Sequence, residues 1–467
     1  MTAVLDYGIL KVMKKNLIYR ERIADKTLVR RLSGVGAVLV EGPKWCGKTT
    51  TCEQVAKSAL YMADPDQLER NLAQASTNIK ELLKGAAPRL IDEWQIAPKF
   101  WDAIRFYVDH AAGFGHFILT GSAVPPEDKR RKDGRREMLH SGTGRISRLR
   151  MRPMSLWESG ESTGTVSLAA LFAGETPAGQ AVGRNLEDVA WLVCRGGWPQ
   201  TIEQKGDIAL DRAVDYFEAV VNSDISRVDD TERNPTRARH LMRSLARHQG
   251  TQALLPTIRR DMLNHDSHSM DEETIRSYLN ALAKIFVTED MPAWSPCLRS
   301  KSSVRTSDTR YFSDPSIAAA ALGLGPGDLM NDVRSFGYFF ETLAVRDLRV
   351  YAEPLGGTVS HFLDRNGLEC DAVVHLRNGS CGLVEIKLGG EALVEQGAKT
   401  LNALSALIDT NRMKAASFKM VLTAVGDYAY LRPEDGGQNR LEEEAGGILG
   451  TRTERRHKLP QDYTKCS

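Results

Sequence analysis

Cysteine is sparse in this chain and follows no ligand pattern. Seven occur, at Cys46, Cys52, Cys194, Cys297, Cys370, Cys381 and Cys466. No two are spaced Cys-x-x-Cys and the count is odd, which argues against a zinc site or a disulfide framework and for a reducing cytoplasm. Long apolar runs are also missing: none approaches the ~18–20 residues of a membrane span, so no membrane contact is expected. Net charge is nearly absent, at +2. Bulk electrostatics therefore gives no reason to expect nucleic acid, and such a reading needs local basic patches. The amino terminus has Asp6 early and no basic start leading into an apolar block, so a signal peptide is not expected. The stretch from Met13 reads as a natural start, with residues 1–12 as an extension.

What remains is ordinary for a globular chain: 42% apolar and 26% charged residues over 467 positions. That length is too great for one compact core and predicts two to four domains.

"AVLVEG" (37–42) is a short apolar run suited to a buried parallel strand. Gly42-Pro43-Lys44-Trp45-Cys46-Gly47 follows as a loop, and "KTTTCEQVAKSAL" reads as a helix. Strand, glycine loop and helix form the context in which G-x-x-x-x-G-K-T cradles phosphates. Gly42 and Gly47 let backbone N–H groups turn inward, and the helix start adds a favourable dipole. Lys48 is expected to reach the β and γ phosphates, and the Thr49 hydroxyl to bind Mg²⁺. The nucleotide contacts expected are Gly42, Pro43, Lys44, Trp45, Cys46, Gly47, Lys48, Thr49 and Thr50, although Trp45 and Cys46 fill variable positions and bring no chemistry of their own.

"PRLIDEWQ" puts Asp92 and Glu93 at the end of a second apolar strand. An acid there can hold Mg²⁺ through water, and the next can polarise the attacking water. "HFILTGSA" (116–123) makes a third strand ending at Thr120, whose hydroxyl could sense a γ-phosphate. Three such strands separated by helices predict a doubly wound parallel sheet, with nucleotide at the strands' carboxyl ends.

With these motifs in place, residues 35–125 resemble a P-loop ATPase of the AAA+ superfamily. They resemble more closely a bacterial and archaeal family in which this ATPase often precedes a C-terminal domain of unknown function. "SGTGRISRLRMRPMSLWE" and "RGGWP" (195–199) fit as well, the latter resembling the Gly-x-Pro element of STAND-type ATPases. The resemblance implies a nucleotide-driven switch, with ATP and Mg²⁺ as cofactors. It also implies that Arg145 or Arg148 stabilises phosphate charge, in cis or across a subunit contact. One departure is the basic stretch 124–142, which reads either as a solvated loop or as a phosphate-backbone contact.

Residues 205–295 are helical in pattern and end in a short strand, as in a winged helix; such segments either bind DNA or only join domains. Ser269 and Glu272 have capping-box spacing for the last helix. The histidines here show no metal-ligand spacing.

Further on, "RYFSDPSIAAAALG" resembles a signature of the same family, and "FGYFFETLAVRDLRVY" is a helix containing Glu341. Three strands follow, with Asn378-Gly379 as a hairpin turn. They carry Asp371, then Glu385 and Lys387 as Glu-x-Lys, in the order found in restriction-endonuclease-like folds. The two acids on neighbouring strands are expected to bind a divalent cation. Lys387, on Glu385's face, would orient water, and Glu341 would complete the metal shell. "KMVLTAVGDYAYLRP" supplies a last strand pair, and the polar remainder from 436 is expected to be mostly disordered.

The expected architecture is α/β. An N-terminal helical segment (1–34) precedes a P-loop core (35–160), a helical lid and winged-helix-like segment (161–305), a restriction-endonuclease-like domain (306–433) and a polar tail (434–467). The expected function is ATP hydrolysis coupled to a nuclease-like domain acting on or binding DNA. The alternative is an ATPase whose nuclease-like domain is silent and binds protein or nucleic acid; self-assembly is compatible with both.

Overall fold

The computed structural model describes residues 19–122, 128–130, 136–138, 142–175, 179–180, 183–228, 231–266, 270–297, 307–426, 428–432 and 442–446. Helix α1 (Ile23–Leu32) leads into β1 (Ala37–Glu41), the phosphate-loop segment and α2 (Lys48–Glu53). Then come β2 (Ser58–Tyr61), α3 (Leu68–Thr77), β3 (Arg89–Asp92), α4 (Lys99–His110) and β4 (Phe117–Gly121). A short antiparallel ribbon, β5 (Asp128–Arg130) with β6 (Arg136–Met138), precedes β7 (Ile146–Arg150). The five main strands form one sheet in the order β2-β3-β4-β1-β7, with every pairing parallel.

Successive residues of these strands go to opposite faces. Ala37, Leu39, Ile91, Phe117 and Leu119 pack toward α4, whereas Val38, Val40, Leu90 and Ile118 pack against Leu28 and Leu32 of α1. A strand covered on both faces must be apolar throughout, which is why β1, β3 and β4 read directly from sequence. β7 is an edge strand, "ISRLR", whose half-polar pattern hides it. The fold is that of a P-loop NTPase, as the glycine loop predicted.

Beyond β7, residues Gly179–Gln180 form the short strand β8. The helices α5 (Leu186–Arg195), α6 (Asp207–Asn222), α7 (Pro235–Arg247), α8 (Leu255–Asp266) and α9 (Glu272–Lys284) follow. Asn185 caps α5 and Asn234 caps α7, each by accepting a backbone N–H three residues on. Asp271 caps α9, accepting the Thr274 N–H at 2.8 Å; Ser269, expected to start this helix, lies outside the described residues. After α9, antiparallel bridges join Thr288 to Phe312 and Met291 to Thr309.

The last third begins with α10 (Pro315–Leu322) and the long helix α11 (Val333–Ala352). It continues through β9 (Gly357–Leu363), β10 (Glu369–Leu376), β11 (Cys381–Lys387), α12 (Glu391–Ala406), β12 (Ala416–Thr423), β13 (Tyr428–Leu431) and β14 (Glu442–Gly446). These form a separate mixed sheet ordered β8-β13-β14-β12-β11-β10-β9. β9, β10 and β11 are antiparallel neighbours, and β12 joins β11 in parallel after the crossover helix α12.

Two expectations change here. β12 and β13 are not paired with each other, because β14 lies between them. The segment expected as disordered tail thus supplies an interior strand. "EEEAG" has no strand signature; it is recruited by the open backbone edge of β12, which composition does not reveal. One apolar core also runs without a break from Leu156 through the helical middle to Ala429, so the middle helices and the mixed sheet share an interior.

Candidate nucleotide and metal sites

The phosphate loop emerges from the carboxyl end of β1. Gly42 cannot carry a side chain there, since a Cβ would lie 2.0 Å from the Met151 carbonyl oxygen. Gly47 sits at φ 96 and starts α2, a left-handed conformation that favours glycine. Trp45 shares this region at φ 65. Lys48 is buried, its ammonium donating to the Gly42 carbonyl at 3.0 Å and the Pro43 carbonyl at 2.8 Å. Its charge therefore waits within the loop.

Asp92 joins the hydroxyl expected at magnesium, that of Thr49, to the one expected to sense the γ-phosphate, that of Thr120. Thr49 donates to its Oδ1 at 2.7 Å and Thr120 at 2.6 Å. Thr120 in turn accepts the Glu93 N–H at 3.2 Å. Glu93 has φ 53, an uncommon conformation for a side chain of its kind. This twist turns its carboxylate toward Gln95 and Ser122, both of which donate to Oε2. Strain of this sort persists where the surroundings hold it, and it favours functional positions. The glycine cradle, the buried lysine and the hydroxyl–carboxylate cluster fit a magnesium nucleotide.

The two arginines separate from one another. Arg145 precedes β7 at the sheet's amino edge, where it pairs with Asp109 of α4 and gives its carbonyl to the Ala37 N–H. That is the opposite end of the sheet from the phosphate loop. Arg148 donates to Glu41 at 3.2 Å and lies over the Trp101 ring, nearer the loop but ion-paired. The basic stretch 124–142 falls outside the described residues except for its ribbon backbone and Gly142.

Several contacts around the loop carried no readable signal, although some of their residues stood out in the sequence. Arg22, ahead of α1, donates to the Cys46 carbonyl at 2.7 Å. Lys44 pairs with Asp224 after α6. Trp45 meets Tyr216 of α6 edge to face, and Tyr216 stacks on Trp198 with centroids 4.3 Å apart. Gly197 donates its N–H to buried Asp314 at 3.0 Å, and Trp198 Nε1 donates to Ser316 at 3.0 Å. Asp314 also accepts Arg346 of α11 at 2.8 Å. Next to Arg346, Asp347 accepts the Leu156 N–H at 2.9 Å. The "GGWP" and "SDPS" segments are therefore two halves of one buried joint.

In the mixed sheet the expected residues converge. Lys387 Nζ lies 2.9 Å from Asp371 Oδ2 and 2.6 Å from Glu385 Oε2. Asp371 sits where β10 slips register against β9, between Cys370 and Val373; such a bulge re-aims a side chain. It also accepts the Ile386 N–H at 2.7 Å. Glu341 accepts the Tyr311 hydroxyl. Burial, then the nearby Asp371 charge, hold the Glu341 carboxyl well above the usual range. The same two causes, against the pull of Lys387, push Glu385 up to about 8. Lys387 is itself held above the ordinary lysine range: burial opposes this, but Asp371 and Glu385 outweigh it.

Glu385 is 3% exposed, and its Oε1 has no hydrogen-bond partner. An orphan carboxylate oxygen beside a second acid fits a divalent cation. As placed, Lys387 holds the space between the acids, and among the described residues no three His, Cys, Asp or Glu side chains form a ready cage.

The fold and loop geometry define a P-loop ATPase domain. Residues 35–159 match the family model described as an AAA domain. Residues 186–328 match that of a domain of unknown function (DUF8612), a span containing both halves of the buried joint. Among solved structures, the Walker-type ATPase PABY2304 of Pyrococcus abyssi is similar at 13% identity, over 66% of this chain and 97% of its own, with a TM-score of 0.39. No curated protein matches the chain. No helix among the described residues is long and apolar enough to cross a membrane.

Proposed function

We propose that the chain is an ATP-hydrolysing, STAND-like switch whose mixed-sheet domain is a metal-dependent deoxyribonuclease of the restriction-endonuclease type. In the ATPase, Lys48 neutralises phosphate charge, Thr49 and Asp92 would hold magnesium, and Glu93 orients the attacking water. A magnesium ion held there would supply Lewis-acid stabilisation of developing phosphate charge. Thr120 keeps Asp92 and the Glu93 backbone in register. Of the two arginines, Arg148 is the better placed to reach phosphate after releasing Glu41.

The observation that carries the nuclease reading is the Asp371–Glu385–Lys387 cluster with the unpartnered Glu385 oxygen. The run of α11, β9, β10, β11, α12 and β12 supports it, since a helix, three antiparallel strands and a crossover to a parallel strand bring those groups together. Here Asp371, Glu385 and Glu341 would hold the cation and Lys387 would orient water. Helices α7, α8 and α9 with the two bridges after them support a winged-helix-like unit that presents DNA. Supercoiled plasmid with Mg²⁺ or Mn²⁺ tests the reading. The wild type nicks it, and Lys387→Ala and Asp371→Ala do not; equal nicking by all three would remove the assignment.

One observation favours a second reading. Lys387 bridges Asp371 and Glu385 directly, at 2.9 and 2.6 Å, as in a silent fold kept for binding protein or nucleic acid. In that case DNA binding persists in Asp371→Ala, and no divalent ion supports cleavage.

A further inference from the structure

Arg22 lies ahead of the segment matched as an AAA domain, yet it is built into the phosphate loop. It is 4% exposed and uses all three of its nitrogens. Nη1 donates to the Cys46 carbonyl at 2.7 Å, Nη2 to the Arg152 carbonyl at 2.8 Å, and Nε to Glu158 Oε1 at 3.0 Å. Glu158 is fixed in turn, accepting the Ile23 N–H at 2.8 Å and the Ser155 N–H at 2.8 Å. A buried guanidinium is costly unless it is paired and hydrogen-bonded, and here, beside the pairing with Glu158, one Nη1 N–H goes to the loop.

That one N–H falls on the peptide that matters. The cis bond among the described residues is Ala87–Pro88, so Cys46–Gly47 is trans. A trans peptide points its C=O and the following N–H in opposite directions. Holding the Cys46 oxygen outward therefore turns the Gly47 N–H inward, toward the hollow that the loop encloses. Gly47 needs such a hold, because at φ 96 it has no side chain to restrict it. Arg22 also closes the outer side: a Cβ on Gly47 would lie 3.3 Å from its Nη1 and 3.4 Å from Pro199 Cγ.

We infer that Arg22 is a positioning residue of the phosphate loop, which with Glu158 as counter-ion fixes the Cys46–Gly47 peptide so that the Gly47 N–H meets the diphosphate of a bound nucleotide. The inference rests on the ATP-binding reading. It differs from a plain anchoring role for α1, which would affect folding but not the choice among nucleotides.

The test uses the full chain as wild type, Arg22→Ala, Arg22→Lys, Glu158→Gln and Lys48→Ala. ADP and AMP affinities are followed by intrinsic tryptophan fluorescence, thermal midpoints are recorded, and Arg22→Ala is repeated with millimolar guanidinium. Arg22→Ala and Arg22→Lys are expected to lose about tenfold or more in ADP affinity, on the scale of one charge-assisted hydrogen bond. AMP affinity stays within about twofold, since it lacks the second phosphate that the charged bond serves. Guanidinium restores ADP binding to Arg22→Ala but not to Lys48→Ala. If Arg22→Ala fails to fold, Arg22→Lys carries the test, because lysine keeps the charge beside Glu158 but cannot reach both carbonyls. Wild-type ADP affinity in both Arg22 variants overturns the inference alone. So does guanidinium that restores the thermal midpoint without restoring ADP binding. A wild type that binds no ADP removes the ATP reading and this inference together.

Discussion

At the residue scale, Glu385 gives the clearest pH dependence. Burial and the nearby Asp371 charge push its carboxyl up to about 8, against an ordinary value of 4.5. The folded state therefore holds a proton that the unfolded state has released. The stability from this group is complete below the unfolded value and is lost as pH rises toward 8. In EDTA, the melting midpoint of the wild type should fall between about pH 4.5 and 8, and Glu385→Gln should flatten that fall; equal slopes would show that Glu385 is already ionised. A divalent cation needs the carboxylate, so its stabilisation should grow over the same range. At the other site, Lys48→Ala should abolish ATP turnover and leave the midpoint nearly unchanged, because the Nζ bonds are to loop carbonyls rather than to a charged partner. The residues of both sites stood out because most sit on or directly after apolar strands at recognisable spacings. Arg22 was not: one arginine ahead of a helix has no pattern, and its meaning lies in a carbonyl far along the chain.

At the element scale, strands buried on both faces were readable and edge strands were not. β1, β3 and β4 are nearly continuous apolar runs, whereas β7 alternates with arginine and β14 is acidic. The joint between "GGWP", α10 and α11 was only half visible. Its two segments stood out separately, but their contact is a long-range hydrogen-bond pattern that no local period encodes. Asp314 is fully buried and accepts from Gly197, from the Ser316 N–H and hydroxyl, and from Arg346. Asp314→Ala leaves a buried guanidinium short of a partner, a change that costs about 3–5 kcal/mol. Denaturant titration should show that loss, and Asp314→Ala/Arg346→Met should lose less than the sum of the single changes. Additive losses would mean that the pair is not coupled. Glu289 predicts a second weakness in the same region. Burial pushes it up, but Arg152 and Arg349 outweigh that and hold its carboxyl well below the usual range. A depressed acid contributes stability above its unfolded value, which is lost as pH falls through the folded one. Limited proteolysis should therefore find the region after β7 opening as pH drops below about 4. Glu289→Gln should open at neutral pH with a weaker pH dependence.

At the scale of the whole molecule, the cores decide how the two sites can communicate. The ATPase sheet has its own two cores, while the helical middle and the mixed sheet share one interior from Leu156 to Ala429. On the proposed switch reading, nucleotide would not release the mixed sheet as a free body from the helices but would act through the seam between the ATPase and everything after it. That seam includes Lys44–Asp224, Trp45–Tyr216, Arg152–Glu289 and Leu156–Asp347. Helix α11 carries Asp347 at the seam and Glu341 at the acid cluster, so one helix touches both. Calorimetry should accordingly resolve two transitions. Magnesium nucleotide at about 100 times its Kd should stabilise the ATPase by about 2.7 kcal/mol and move mainly one transition. Manganese should move mainly the other. Lys48→Ala should remove the first shift only, and Glu385→Gln the second only. A smaller movement of the manganese-sensitive transition by nucleotide, lost in Asp314→Ala, would measure the coupling through α11 directly. A single transition moved equally by both ligands would instead make the chain one cooperative unit, and the two-body account of the switch would fail.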